Sequence, residues 1–484
     1  MEMTFDKKIP RILLIAAALV IGIVLGLWQT RPTAPPREGA EEYAAYQRML
    51  ANIQRLASEP HPSGSGEIET TRSQIIAEIR AMGLTPVIQD ATYTASDIAD
   101  EWLKMYGAAT KDEWWEQNRE WVEDYYDGVH SLDGLIEATW PMDGETLPLQ
   151  NILVKLDSPL TDRGVMFVSH YDSVSTAPGA ADDTLAVCAM LEAMRAHAQN
   201  PVLENDIYFL FTDGEEHGLL GAWKFVDANP GLRDSIDMVI NLEMRGNRGG
   251  VLLFETSAGA YSMLKTVKQS GARTIGTSWA AAIYTMMPNN TDLTAFLDAG
   301  YNGINYAAIE GVEHYHMPSD SYENLNKSTA YHYLQTVLSL AGYAARNSLD
   351  GLRGGPSPEA VYFPFLPGVI VLMTALASRL LCAAACVLAL AFAVIKAMKK
   401  ELKASFGNIL MCLLFILSIL STVLFESGSY LFYIPLLLIS ITSLLKKWTI
   451  AHIAVRVVSG IAALLIWIPV VFLLWVSMVQ PMML

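Results

Sequence analysis

The sequence is poor in cysteine, and its few cysteines are badly placed for disulfides. Four are present, and Cys382, Cys386 and Cys412 fall in apolar runs near the C-terminus, which leaves Cys188 alone in the polar part of the chain. An internal disulfide in the polar part is therefore excluded. This part must be stabilised by its own hydrophobic core or by bound metal.

Positive charge is also scarce. The chain has 33 lysines and arginines against 50 aspartates and glutamates, which gives a formal net charge of −17. The acidic residues fall almost wholly in the middle of the chain, where they would repel phosphate. The composition therefore argues against a nucleic-acid partner and favours bound cations.

Long hydrophobic runs are missing from the middle of the chain, although hydrophobic residues make up 52% of the whole. Such a share is high for a soluble protein. The pattern predicts a cytoplasmic tip and transmembrane anchor over residues 1–30, a linker over 31–40, a folded domain over 41–350 and a C-terminal bundle of about four transmembrane helices over 361–484. The predicted spans lie near Ile12 to Trp28, Phe363 to Ile395, Ile409 to Phe425, Tyr430 to Leu445 and Val457 to Val479.

Basic residues predict how the chain is oriented in the membrane. Lys7, Lys8 and Arg11 precede the first span, and further basic clusters lie at Lys396 to Lys403 and at Lys446 to Arg456. By the positive-inside rule these segments face the cytoplasm, so the middle domain lies outside it. A cleaved signal peptide is the alternative for the first span, but no small-residue cleavage site follows.

Two further residues bear on the location of this multi-pass protein. Arg379 interrupts the first C-terminal run, and we interpret it as a depth marker or helix-packing residue within one crossing that has an interfacial lead-in. Asn289 begins a glycosylation sequon but lies near the presumed cleft, where a glycan would not fit. Together with the lack of disulfides, this favours a bacterial cell membrane over an endoplasmic reticulum membrane.

Within the middle domain, short apolar runs alternate with helical patterns such as Thr184 to Ala198, which indicates an α/β domain around a largely buried sheet. A Trp-rich, acidic segment from Ser96 to Gly144 interrupts this alternation of strands and helices. We interpret it as a helical insertion that forms a small lid or packing subdomain. The predicted strands are Asn151 to Leu156, Val165 to Ser169, Ile207 to Phe211, Met238 to Leu242 and Gly303 to Ala308.

Imidazoles and carboxylates follow four of these strands, at the point where each strand ends. Loops at the carboxyl ends of strands are where α/β proteins form their sites. Imidazole and carboxylate ligands without thiolate suit Zn²⁺, and a bridging carboxylate would let two ions share one cleft. The residues concerned are His170, Asp172, Asp182, Asp183, Glu215, Glu216, Glu243, Tyr315 and His316.

The order and spacing of these residues resemble the co-catalytic zinc aminopeptidases of the M28 family over roughly Leu50 to Leu349. The resemblance implies a three-layer domain with a central mixed β-sheet. The matching motifs are Pro60-His61-Pro62-Ser63-Gly64-Ser65, Ser169-His170-Tyr171-Asp172-Ser173-Val174, Pro178-Gly179-Ala180-Ala181-Asp182-Asp183, Asp213-Gly214-Glu215-Glu216-His217-Gly218, Asn241-Leu242-Glu243 and Tyr315-His316.

The resemblance also implies the role of each residue. Two Zn²⁺ ions per chain would be held, one by His170 and Glu243 and the other by Glu216 and His316, with Asp182 as the bridge. Glu215 would be the general base, Tyr315 would donate a hydrogen bond to the oxyanion, and Asp172 would accept one from the ring of His170. A cis peptide bond between Asp182 and Asp183 is implied as well.

One position departs from many family members, because residue 243 is Glu where they carry Asp. The endoplasmic reticulum metallopeptidase branch, which also places its peptidase domain between membrane spans, has Glu in a similar Asn-Leu-Glu context. The triplet Asn290-Thr291-Asp292 is similar to a loop of that branch. Motif and architecture therefore point to the same branch.

The resulting hypothesis is a membrane-anchored exopeptidase, an aminopeptidase, whose partners are peptide substrates and membrane lipid. Three alternatives remain: a non-catalytic receptor or scaffold with the same fold, a transporter that works through its C-terminal bundle, and a carboxypeptidase, deacylase or cyclase on the same site. The bundle shows no internal repeat, which argues against transport. The sequence does not indicate an oligomeric state.

Overall fold

The computed structural model describes residues 28, 30–125, 128–139, 146–200, 202–285, 287, 289–353, 357–366, 368–399 and 458–459. The main body of the described chain is an α/β domain around an eight-stranded mixed sheet. Its strands are β1 (Val87–Thr94), β2 (Thr146–Leu156), β3 (Gly164–His170), β4 (Asp206–Thr212), β5 (Ile236–Met244), β6 (Leu252–Thr256), β7 (Ile275–Gly276) and β8 (Gly303–Ala308), in the spatial order β1-β2-β4-β3-β5-β8-β6-β7.

Helices cover this sheet, and short 3₁₀ turns lie at Pro230–Asp234 and Val312–His314. The helices are α1 (Tyr43–Leu56), α2 (Gly66–Ala81), α3 (Ala95–Tyr106), α4 (Lys111–Tyr125), α5 (Leu132–Thr139), α6 (Thr184–His197), α7 (Leu220–Ala228), α8 (Tyr261–Ser270), α9 (Ser278–Tyr284), α10 (Asp292–Asp298), α11 (Lys327–Arg346), α12 (Asp350–Arg353) and α13 (Ala375–Met398). A hairpin of β9 (Ala360–Leu366) and β10 (Val369–Thr374) precedes α13.

The four central strands, β4, β3, β5 and β8, run parallel, and every residue of each is buried. Neighbouring side chains in a strand point to opposite faces. Thus Val165 and Phe167 enter a core shared with α1, α6 and α11, whereas Met166 and Val168 enter a second core with α7 and α10. The sheet therefore lies between two helical layers, as the resemblance implied.

The five strands predicted from the sequence all form, with ends that shift by a few residues at most except at β2, and so does the helix predicted from Thr184. Three further strands of this sheet, β1, β6 and β7, were not predicted. β1 lies at an edge and is only partly buried, so its hydrophobic pattern is weak, and β7 has only two residues. Such elements depend on pairing with a neighbouring strand more than on local pattern.

The insertion between β1 and β2 is helical, as predicted, and contains α3, α4 and α5. Its apolar side chains form a separate small core in which Trp102 and Trp114 contact each other, with ring centroids 5.6 Å apart. The indole nitrogen of Trp102 also donates a hydrogen bond to the carbonyl of His217 at 3.0 Å. The insertion thus packs directly on the loop that follows β4.

The prediction of a continuous helical run from Phe363 is wrong for its first part. Residues up to Thr374 form the β9–β10 hairpin, in which the backbone N–H of Tyr362 donates a hydrogen bond to the hydroxyl of Ser278 at 2.9 Å. An unbroken apolar run does not distinguish a buried strand from a helix. Arg379 consequently lies in the second turn of α13 and not midway along one span.

No helix within the described part of the chain is both long and apolar enough to span a bilayer. The predicted spans near Ile12 to Trp28, Ile409 to Phe425, Tyr430 to Leu445 and Val457 to Val479 lie almost wholly outside the described residues. The predicted linker contacts the domain, since Arg273 donates a hydrogen bond to the carbonyl of Arg31 at 2.7 Å.

Candidate active site

Four neighbouring parallel strands bring the predicted ligands to one edge of the sheet. His170 is the last residue of β3, and Glu243 is the next-to-last residue of β5. Glu216 follows β4 and His316 follows β8, while Asp182 lies in the loop between β3 and α6. The carboxyl ends of β4, β3, β5 and β8 are adjacent, so these five side chains meet.

The five side chains form two groups that share Asp182. In the first group the Nε2 atom of His170 lies 3.3 Å from Oδ1 of Asp182 and 3.5 Å from Oε1 of Glu243. In the second, Nε2 of His316 lies 3.5 Å from Oδ2 of Asp182 and 3.0 Å from Oε2 of Glu216. The two oxygens of one carboxylate therefore face two separate sets of ligand atoms.

The donor atoms fit bound metal. The Nε2 atoms of His170 and His316 and one carboxylate oxygen each of Asp182, Glu216 and Glu243 are buried without a hydrogen-bond partner. Buried polar atoms are rarely left unpaired, and a set of imidazole nitrogens and carboxylate oxygens is what Zn²⁺ prefers when thiolates are absent. Two zinc ions, one in each group, would satisfy all five side chains.

The pKa shifts within the cluster also favour bound metal. Burial raises the pKa of Glu243 to about 7, with the charge of Asp182 adding to the rise. Burial alone would lower the pKa of His316, but the charges of Glu216 and Asp182 raise it to about 10. Without metal the cluster therefore holds protons on Glu243 and on the imidazole of His316 near neutral pH, and a divalent cation would replace them.

Glu215 and Glu216 are adjacent in sequence but face different surroundings. Glu216 contacts His316, whereas Glu215 belongs to neither ligand group and lines a cavity beside them. Burial raises the pKa of Glu215 well above its ordinary value, and the charge of Glu243 adds to the rise. A buried carboxyl that can exchange a proton near the metal groups is suited to general acid-base work.

The structure changes the predicted contacts of Asp172. The Nδ1 atom of His170 makes its hydrogen bond, at 3.0 Å, with the backbone carbonyl of Asp172, and the carboxylate lies farther away, at 3.5 Å. The carboxylate instead accepts backbone N–H groups of Glu215 and Glu216, both at 3.2 Å. Asp172 therefore orients the ring of His170 and also holds the loop that carries the Glu-Glu pair.

Asp320 was noted in the sequence only as a residue beyond His316, but it has a definite structural position. Its carboxylate accepts backbone N–H groups of Ala181 at 2.9 Å and of Asp182 at 3.1 Å, which fixes the loop that carries the shared ligand. The peptide bond between Asp182 and Asp183 is cis, as the resemblance implied. In the sequence, the signal for Asp320 was its position four residues after the predicted ligand His316.

We expect Asp320→Asn to lower the affinity for zinc about 10- to 100-fold, because an amide nitrogen would face one of the two backbone donors and displace the loop. Titration of the metal-free protein with zinc measures this effect. Asp298→Asn serves as the matched control, since Asp298 is exposed at the end of α10. Equal zinc affinity in the two variants would show that Asp320 does not position the ligand loop.

A second buried network supports the site from the Pro60 to Ser65 motif. The carboxylate of Asp213, which precedes the Glu-Glu loop, accepts hydrogen bonds from the hydroxyl of Ser63 at 2.6 Å and from Arg72 at 3.1 Å. Burial raises the pKa of Asp213 to about 6, and the charge of Asp172 contributes. The Pro60 to Ser65 motif therefore supports the site through Asp213. The role of Arg72 in this network was not predicted from the sequence.

The cavity next to the ligands is largely apolar and has a volume of about 120 Å³. Phe254, Ile283, Tyr284, Met287 and Ile309 form much of its wall. Tyr315 also lines it, with its ring stacked on that of His316 at a centroid separation of 3.7 Å. This position is compatible with the role that the resemblance gives to the Tyr315 hydroxyl.

A chain of buried polar groups crosses the sheet close to this cavity. The amide of Asn241 donates to Asn305 at 3.1 Å, and the amide of Asn305 donates to Glu255 at 3.0 Å. Burial raises the pKa of Glu255 to about 7, although the hydrogen bond from Asn305 opposes the rise. The folded protein therefore holds a proton on Glu255 in a pH range where the unfolded chain has lost it.

This difference predicts a pH-dependent effect of Glu255→Gln. Because the pKa of Glu255 is higher in the folded state, its contribution to the free energy of unfolding is fully present below about pH 4.3. As the pH rises to 7, up to about 3 kcal/mol of this contribution is lost. Glutamine does not ionise, so the variant should match the wild type at pH 4 and unfold at a higher temperature at pH 8. Thermal unfolding at both pH values, with exposed Glu120→Gln as the control, tests this, and parallel pH profiles of variant and wild type would contradict it.

Comparison with known proteins agrees with this geometry. Residues 151–341 match the model of peptidase family M28. A putative endoplasmic reticulum metallopeptidase 1 of Schizosaccharomyces pombe is 30% identical over 240 residues, which cover 48% of this chain and 29% of that protein. A vacuolar membrane protease of Saccharomyces cerevisiae is 32% identical over 221 residues, which cover 45% of this chain and 22% of that protein. The chain thus matches less than a third of the length of these curated relatives.

Among solved structures, an aminopeptidase from Aneurinibacillus sp. strain AM-1 superimposes with a TM-score of 0.45 and 16% sequence identity, over 62% of this chain and 93% of that one. The family match begins at Asn151 in β2 and ends in α11, so it includes every predicted metal ligand. Residues 151–341 of this chain are thus similar to peptidase family M28, and the matched relatives include an endoplasmic reticulum metallopeptidase.

Proposed function

We propose that the chain is a membrane-anchored zinc exopeptidase that holds two metal ions and hydrolyses peptide bonds at the end of a peptide. The observation that carries the proposal is the pair of ligand groups that share Asp182, with the metal-free carboxyl of Glu215 in the adjoining cavity. An aminopeptidase is the first choice for its direction, because the motifs resemble that class.

In this proposal His170, Asp182 and Glu243 hold one zinc ion, and Asp182, Glu216 and His316 hold the other. Bound zinc lowers the pKa of a coordinated water to about 7 and polarises carbonyl oxygens. Glu215 takes a proton from the attacking water and returns it to the leaving amine. The Tyr315 hydroxyl donates a hydrogen bond to the oxygen that becomes negative during the reaction.

The test uses the full chain, purified in detergent and loaded with zinc, against a panel of dipeptides and aminoacyl amides. We expect hydrolysis that is lost when a chelator removes the metal and returns when zinc is added. A protein that binds no zinc and cleaves none of the substrates would support the receptor or scaffold alternative. Cleavage of N-blocked substrates alone would support the carboxypeptidase or deacylase alternative.

The location is part of the same proposal. Two relatives are named for the endoplasmic reticulum and the vacuolar membrane, which supports a membrane-associated protein. These relatives are fungal, so a bacterial cell membrane stays a prediction from the sequence alone. Peptides and membrane lipid are the partners that the proposal requires, and nucleic acid is not among them.

The proposed topology predicts that a reporter fused after Lys400 reads as cytoplasmic, whereas one fused after Leu349 reads as external. The reason is the excess of basic residues around Lys400, which resist translocation. A paired set of alkaline phosphatase and fluorescent-protein fusions measures both positions. An external signal at Lys400 would mean that the segment after Thr374 returns to the side from which it entered.

A further inference from the structure

One positive side chain lines the cavity beside the metal groups. Among the described residues that form the cavity wall, Arg245 is the only lysine or arginine, and it accompanies Glu215, Glu243 and Tyr315. It directly follows β5, two residues after the ligand Glu243, and is half-buried. A guanidinium group in this position lies within reach of a molecule that binds at the ligands.

The guanidinium of Arg245 has no anionic partner among the described residues. Its central carbon lies 4.4 Å from the ring centre of Tyr315, a cation–π contact that supplies no carboxylate to its N–H groups. Other partly buried arginines of the domain do pair with carboxylates: Arg72 with Asp213, and Arg163 and Arg353 with Asp237.

A guanidinium carries five N–H donors at its edges, and a half-buried cation without an acceptor is unfavourable. The contact with the Tyr315 ring places the group in the cavity wall without an anionic acceptor. Glu215 and Glu243 line the same cavity, yet neither forms an ion pair with Arg245. The arrangement therefore fits an acceptor that arrives with the substrate, and a carboxylate matches the planar fork best.

We propose that Arg245 binds the C-terminal carboxylate of a short peptide substrate, so that the enzyme prefers peptides with a free carboxylate one residue after the scissile bond. This inference rests on the proposed peptidase function. It assigns the substrate class as dipeptides, in which the bond after the N-terminal residue is followed directly by the C-terminal residue.

Two observations favour a C-terminal carboxylate over an acidic side chain. Glu243 and Arg245 lie two residues apart along the chain and line the same cavity, so a group bound by Arg245 lies near the ligand Glu243, as the carboxylate of the residue after the scissile bond would. The wall of the cavity is otherwise mainly apolar, with Phe254, Ile283 and Met287. A cavity of about 120 Å³ suits one apolar side chain, because a similar engineered apolar cavity of about 150 Å³ accepts benzene.

The experiment compares three substrates with the same N-terminal leucine: Leu-Leu has a C-terminal carboxylate, Leu-Leu-amide has no carboxylate, and Leu-Asp-amide has only a side-chain carboxylate. For the zinc-loaded wild type we expect kcat/KM for Leu-Leu to exceed that for Leu-Leu-amide about 10- to 100-fold. In Arg245→Gln this ratio should fall towards one, even if both rates decline. Arg248→Gln is the matched control, because Arg248 lies on the same loop but is exposed and paired with Glu313 at 2.7 Å.

A binding measurement supplies a readout that does not depend on turnover. Calorimetry should show that N-acetyl-leucine binds to the wild type and to Arg248→Gln, and that it binds more weakly, about 10- to 100-fold, to Arg245→Gln. N-acetyl-leucinamide should bind all three proteins about equally.

Three results would overturn the inference: equal kcat/KM for Leu-Leu and its amide in the wild type, an equal loss on both substrates in Arg245→Gln, or an Arg245-dependent preference for Leu-Asp-amide over Leu-Leu. The second would mean that Arg245 only holds Tyr315 in place, and the third that it binds an acidic side chain. Failure to hydrolyse any peptide would overturn the proposed function instead, and the binding measurement would then decide the role of Arg245.

Discussion

Glu215→Gln is expected to lower kcat by about 10²- to 10⁴-fold while zinc content and KM change little. Glutamine has nearly the same shape as glutamate, but it cannot accept and return a proton. Glu215 belongs to neither ligand group, so its replacement leaves all five ligands in place. Steady-state kinetics on a dipeptide, together with metal analysis of the same preparation, measure both quantities.

The neighbouring Glu216→Gln is the matched control for this experiment. Its carboxylate lies 3.0 Å from His316 within a ligand group, so the variant should lose metal as well as activity. The two variants carry the same chemical change at adjacent positions, and only the surroundings of the side chains differ. Near wild-type turnover in Glu215→Gln would show that another group moves the proton, and buried Asp183 would be the first residue to examine.

Asp182→Asn is expected to reduce bound zinc from two ions per chain to nearly none, with activity falling at least as far as in Glu215→Gln. The reason is that Asp182 contributes one oxygen to each ligand group, so the substitution removes a charged ligand from both at once. Removal of His170, which contacts only the first group, should weaken mainly one site.

Zinc titration of the chelated protein separates the two variants by stoichiometry. Wild type should bind two ions, His170→Ala one with high affinity, and Asp182→Asn none with comparable affinity. Retention of two tightly bound ions by Asp182→Asn would refute the shared-ligand arrangement. A wild type that binds one ion at saturation would refute the two-metal site itself.

The sequence predicted the centre of the fold well because the central strands are buried on both faces. Continuous apolar runs such as Val165 to Ser169 leave little alternative to a buried strand when helical patterns surround them. The hairpin before α13 was missed for a related reason, since its apolar run has no polar positions that would reveal a period of two. Pro364 and Gly368 were the signals that favoured a turn over a continuous helix.

The meeting of the five proposed metal ligands was predictable because each lies at or after the end of a strand that ends at the same edge of the sheet. Their supporting partners were not, because hydrogen bonds between a carboxylate and backbone N–H groups leave no spacing in the sequence. Asp320 and Asp172 both act in this way, on loops that are distant in sequence, and for Asp172 the sequence predicted only the interaction with His170. Arg245 was overlooked since it lies between two recognisable features, the ligand Glu243 and a glycine-rich turn.

The two ends of the described domain leave from the same side. The carbonyl of Arg31 receives a hydrogen bond from Arg273, which lies two residues before the edge strand β7. The β9–β10 hairpin, which leads into α13, is joined through Ser278 to the segment directly after β7. In the proposed topology, with membrane spans on both sides of the domain, two attachments on this side would let the domain swing about the line between them but would prevent it from turning over. The opposite edge of the sheet, where β1 and the Trp-rich insertion lie, would then project farthest from the membrane.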